Sequence, residues 1–129
     1  MSEWLGFKNR MGTRQDTPLE AAEDIGRLID LVRDGNPGTK IFIAKIIPLM
    51  DNAYGKGPGE YRAVQEFNQF LSFVVDLKNQ EPGFTGVDIV DMWSQFDPKT
   101  MLAEKTHPNR LGDKKIASLW YEAITKHNM

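Results

Sequence analysis

A chain of 129 residues without a single cysteine can perform no thiol catalysis, build no thiolate metal site and close no disulfide. Three acids, Asp88, Asp91 and Asp97, lie near one another in sequence. However, Asp91 and Asp97 straddle a loop without ligand-loop spacing, and His107 and His127 are the only imidazoles, so no metal is expected. Gly55-Lys56-Gly57-Pro58-Gly59 is glycine-rich enough to suggest a phosphate cradle, yet no Ser or Thr follows the lysine and the spacing fails that of a P-loop. It reads as a surface loop, and no cofactor is expected. Trp4, Trp93 and Trp120 offer flat apolar faces of the kind that stack on sugar rings. Trp120 recurs at helical spacing with Ile116 and Ile124 and reads as core. Trp93, beside a strand end, is the candidate for lining a site.

Charge excludes further classes. Sixteen Lys and Arg are balanced by eighteen Asp and Glu, with no dense basic run, so neither nucleic acid nor an anionic membrane is an expected partner. Met1-Ser2-Glu3-Trp4-Leu5-Gly6 lacks a basic region followed by an apolar run, and no stretch reaches the ~20 apolar residues of a membrane span. A soluble protein of undetermined localisation, with no visible signal peptide, is the expectation.

The elements that must position any site follow from periodicity. Residues 1–17 form an atypical N-terminal segment without clear period. Asp16-Thr17-Pro18-Leu19-Glu20 then carries a helix start, with Asp or Thr as the cap and Pro in the first turn. Apolar Ala21, Ala22, Ile25, Leu28, Ile29 and Val32 predict one buried stripe on a helix from Pro18 to Arg33, ended by Gly35-Asn36-Pro37-Gly38. Lys40 to Pro48 is a short β-branched run without alternation, as in a parallel strand buried on both faces. The Gly-rich stretch Asp51 to Gly59 predicts a loop. Glu60 to Lys78 predicts a second amphipathic helix, carrying Val64, Phe67, Phe70, Leu71, Val74 and Val75. Val87 to Asp91 predicts a second strand. A loop containing Pro98 and Pro108 leads to a last helix from about Asn109 to Lys126, apolar at Leu111, Ile116, Leu119, Trp120, Ala123 and Ile124. Helix and strand alternate as in βαβ units with a parallel sheet, on a single domain over 1–129. Two strands are few for such a sheet, so the chain reads as part of a larger fold.

The segment Thr106-His107-Pro108-Asn109-Arg110-Leu111-Gly112-Asp113, followed by Trp120-Tyr121, resembles the last conserved block of SGNH (GDSL-type) serine hydrolases. The order upstream agrees: a pattern from Glu20 to Pro48, a helix carrying Phe67-Asn68, and a strand ending Val90-Asp91-Met92. The resemblance spans about residues 12–126. It implies an α/β, partial flavodoxin-like fold with two parallel strands and three main helices, a three-layer remnant. It also implies a carboxylic ester hydrolase ancestry, with His107 as the catalytic base and Glu104 as the acid three residues before it, where the family usually has Asp.

The Gly-Asp-Ser block that supplies the family's nucleophile has no counterpart. None of Ser2, Ser72, Ser94 or Ser118 sits in such a setting, and Gly12-Thr13-Arg14-Gln15-Asp16 lacks the Asn that would donate to an oxyanion. The resemblance therefore implies an acid–histidine half-site, inactive alone, whose substrate class would be a small ester such as an acetylated carbohydrate. The alternative is a non-enzymatic binding or assembly domain, in which Glu104 and His107 are inherited parts of a loop before a helix. By the family's sheet order 2-1-3-4-5, the strand Ile41 to Ile47 would be an interior strand without its inner neighbour. A homo-oligomer paired through the 41–47 edge is expected, or a monomer in which Trp4, Leu5 and Phe7 fold back as a plug.

Overall fold

The computed structural model describes residues 17–50, 59–104 and 106–127. Helix α1 spans Pro18–Gly35, two residues beyond the expected end. Its start is a reciprocal capping box: the Thr17 hydroxyl accepts from the Glu20 N–H at 3.1 Å, and the Glu20 carboxylate accepts from the Thr17 N–H at 2.9 Å. The buried face runs through Ala22, Gly26, Ile29 and Arg33, every third or fourth residue. Leu28 and Val32, expected on the buried stripe, are exposed instead.

Strand β1 covers Ile41–Ala44 and β2 covers Val87–Val90; the two form a parallel two-stranded sheet, order β1-β2. The Lys45 N–H donates to the Val90 carbonyl at 3.0 Å and carries the ladder one residue past β1. All four residues of β1 are half-buried rather than buried on both faces. A run that is apolar on both faces looks the same in sequence whether each face is fully or partly covered. In β2, Val87 and Val90 are buried, while Asp88 is exposed and pairs with Lys40 at 3.0 Å.

Helix α2 spans Glu60–Asn79. Its last residue ties it to the next strand: the Asn79 carboxamide accepts from the Val87 N–H at 2.8 Å and donates to the Val87 carbonyl at 2.9 Å. One side chain thus satisfies both backbone groups of a buried residue. Helix α3, Pro98–Met101, occupies a stretch whose sequence predicts only loop, and α4 spans Arg110–His127. On α4 only Gly112 and Leu119 are buried; Leu111 and Ile124 are exposed and Trp120 is half-buried, so the expected stripe is only partly covered.

The chain is α/β, with two parallel strands and four helices among the described residues. The described residues group into two compact units, one made of those up to Ile43 with Glu66–Ile89, the other of those in 44–65 and from Val90 onward. The first has a core of Ala21, Ala22, Ile29, Phe67, Leu71, Val75 and Val87, into which Arg33 and Asn68 are also buried. The second buries Leu49, Val64, Val90, Met92, Phe96 and Leu119. No helix among the described residues is long and apolar enough to cross a membrane. Ser2, Trp4, Leu5, Phe7 and the stretch 51–58 lie outside the described residues.

Candidate functional site

The turn between α3 and α4 is built first by backbone. Leu102 and Pro108 form an isolated antiparallel bridge, and the Ala103 N–H donates to the His107 carbonyl at 2.7 Å. Asn109 then fastens the turn on both sides. Its carboxamide N–H group donates to the carbonyls of Thr100 (2.8 Å) and Leu102 (3.4 Å), and its oxygen accepts from the Gly112 N–H at 2.9 Å, capping α4. Gly112 is dictated by space: a Cβ there would lie 2.2 Å from the Met101 carbonyl oxygen and 3.1 Å from both Phe96 and Pro108. Pro, Asn and Gly of the His-Pro-Asn-x-x-Gly segment are thus the bridge, the cap and the close approach that hold one turn in shape.

On that turn Glu104 and His107 meet. The Glu104 Oε1 accepts from four donors: the Thr106 N–H (2.9 Å), the Thr106 hydroxyl (2.9 Å), the His107 N–H (2.8 Å) and His107 Nδ1 (2.8 Å). These bonds favour the ionised form and hold the carboxyl at about 2, below its ordinary 4.5; the Thr106 backbone N–H contributes most, followed by the His107 ring. Because the folded value is lowered, the turn's anchoring is complete above the unfolded value and is lost as pH falls through about 2. A carboxyl-detected NMR titration of Glu104 is expected to show that low midpoint; a midpoint at 4.5 contradicts the four-donor arrangement.

In the tautomer whose Nδ1–H points to the carboxylate, Nε2 keeps its lone pair and is the basic atom. Side-chain exposures of 77% for His107 and 58% for Glu104 leave that atom open to water. The described serine hydroxyls are engaged locally: Ser72 donates to the Asn68 carbonyl (3.3 Å), Ser94 to the Asp91 carboxylate (2.6 Å) and Ser118 to the Lys115 carbonyl (2.9 Å). Thr106, which no sequence argument singles out, does touch the ring, at 2.8 Å from Nδ1. That is the side already facing Glu104, not the basic side. Its only sequence signal is adjacency to His107.

The acids considered for a cation are used as caps. Asp91 accepts from the backbone N–H groups of Trp93 (3.0 Å) and Ser94 (3.1 Å), and Asp97 caps α3 through the Lys99 N–H at 2.9 Å. Burial pushes the Asp91 carboxyl up, but the Ser94 and Trp93 bonds and the nearby Lys45 charge outweigh it and leave the value lowered. The Trp93 ring packs on Tyr61, centroids 5.0 Å apart at 52°.

The chain's α/β fold is similar to part of an esterase fold. A crystal structure of a carbohydrate esterase family 3 from Talaromyces cellulolyticus matches with a TM-score of 0.70 at 18% identity, over 86% of this chain and 50% of that one. A crystal structure of an acetyl esterase mutant with acetate ion matches equally, with a TM-score of 0.70, 18% identity and the same 86% and 50% coverage. The chain thus spans half the length of these solved structures. No protein-family sequence model matches the chain, and no curated protein does.

Proposed function

We propose that this chain is an SGNH-like relative of acyl-ester hydrolases that retains the acid–histidine half of the catalytic machinery and is inactive alone. The observation that carries the reading is the 2.8 Å contact between His107 Nδ1 and Glu104 Oε1 on the turn before α4. It orients the ring for proton transfer and leaves Nε2 outward. The esterase names of the structural neighbours support a small ester as the substrate class, with an acetylated carbohydrate as the favoured example. When a second chain supplies a hydroxyl, that hydroxyl's proton passes to His107 Nε2 as its oxygen bonds the acyl carbon. Glu104 stabilises the imidazolium, and the ring returns the proton to the leaving alcohol. Hydrolysis of a chromogenic acetyl ester is expected to proceed at the same background rate with the native chain and with His107→Ala. Activity lost in the variant overturns the inactivity.

A second reading, a non-enzymatic assembly module, is favoured by apolar side chains that the first unit leaves in solvent: Leu31 is 67% exposed, Phe73 62% and Leu28 52%. Self-association, including the expected pairing through residues 41–47, belongs to this reading. Light scattering decides it: a mass of one chain that does not rise with concentration removes it.

A further inference from the structure

We propose that Thr106 is a positioning residue whose hydroxyl, together with Glu104, locks His107 in the tautomer that leaves Nε2 basic; this rests on the acid–histidine reading above. The Thr106 Oγ1 lies 2.9 Å from Glu104 Oε1 and 2.8 Å from His107 Nδ1, so it closes a three-membered ring of polar contacts with the 2.8 Å acid–imidazole bond. A hydroxyl has one proton to donate, and the carboxylate is the stronger acceptor. With that proton on Glu104, a lone pair of Oγ1 can accept from an Nδ1–H at 2.8 Å. Nδ1–H then meets two acceptors, the carboxylate and the hydroxyl.

The other tautomer loses the acid–imidazole bond. A lone pair on Nδ1 faces a carboxylate oxygen at 2.8 Å, and the threonine must turn its proton away from Glu104 to relieve it. Thr106 is half-buried while Glu104 and His107 are exposed, so water replaces its hydroxyl less readily than it solvates its partners. Branching at Cβ restricts its χ1 and holds Oγ1 in place. The same geometry removes Thr106 as a nucleophile, since its proton is committed to Glu104 and it does not lie on the Nε2 side.

The test is long-range ¹H–¹⁵N correlation of the neutral His107 ring in the full chain and in Thr106→Val and Thr106→Ser, with backbone spectra checking the fold of each. The native ring is expected in the Nδ1–H form. Thr106→Val is expected to shift the ring toward the Nε2–H form, and Thr106→Ser, which keeps the hydroxyl, to restore the native pattern. If the valine variant keeps the native tautomer, or the serine variant fails to restore it, the role of Thr106 is overturned. If the native ring is already in the Nε2–H form, the acid–histidine reading itself fails. Should Thr106→Val lose the turn, the same comparison between Thr106→Ala and Thr106→Ser decides the matter.

Discussion

Replacing Gly112 with alanine is expected to lower the unfolding free energy by about 3 kcal/mol, the upper end of the usual cost of overpacking. The sign alone is informative, because glycine to alanine inside a helix ordinarily stabilises by roughly 0.5–1 kcal/mol. Here the added methyl would sit 2.2 Å from the Met101 carbonyl oxygen, an atom of the backbone that no side-chain rotation can move. Phe96 and Pro108, each 3.1 Å from the same point, close the other exits. Relief requires α3 and the start of α4 to separate, which strains the Asn109 cap and the turn that carries Glu104 and His107. Urea unfolding measures the effect through the transition midpoint. A midpoint equal to or above the native one contradicts the close approach.

Arg33→Ala is expected to cost about 3 kcal/mol, as other large-to-small changes do at fully buried positions. Arg33 is 2% exposed, an unusual position for a cation. Its Nη1 donates to the Lys78 carbonyl in the last turn of α2 at 3.0 Å and contacts Glu81 at 3.3 Å. Its guanidinium stands 4.6 Å from the centre of the Phe84 ring. Glu81 is 45% exposed, so the ion pair itself contributes little. The loss comes from the emptied stem and from the Lys78 carbonyl, which keeps only the longer bond from the Glu81 N–H at 3.2 Å. Arg33→Met keeps most of that stem, and the Nε it removes has no hydrogen-bond partner among the described residues. The methionine variant is therefore expected to lose about half as much, ~1.5 kcal/mol. Thermal unfolding of both variants checks the order; an alanine variant as stable as the native chain contradicts the burial.

Much of this fold is legible in the sequence because caps and periodicity are local signals. Thr17 with Glu20 marks the start of α1, and the spacing of Val64, Phe67, Leu71 and Val75 marks the buried face of α2. Where expectation and structure part, the physics is not local. Four residues are too few to show a helical period, so α3 is invisible, although Asp97-Pro98 is a proper cap and first turn. Arg33 continues the stripe of Ala22, Gly26 and Ile29, but its residue type argues for the surface. Its burial depends on α2 and Phe84, far along the chain. Val32 and Leu28 mislead for the converse reason, their apolar type arguing for a core that does not reach them. The Glu104–His107 pair is visible through family resemblance. The hydrogen bond that closes their turn, from the Ala103 N–H to the His107 carbonyl, is made by backbone groups that carry no sequence signature. At 18% identity the fold and its order persist while most residues differ, which fits a match in structure where sequence comparison returns none.

In the proposed function Glu104 and His107 are a poised acid–histidine pair, and His107 activates none of the described serines Ser72, Ser94 and Ser118. This is tested most directly by incubating the intact chain with a serine-directed fluorophosphonate and reading its mass, beside His107→Ala. The account predicts an unchanged mass for both proteins. A single adduct on a serine of the native chain, absent from the His107→Ala variant, would contradict it.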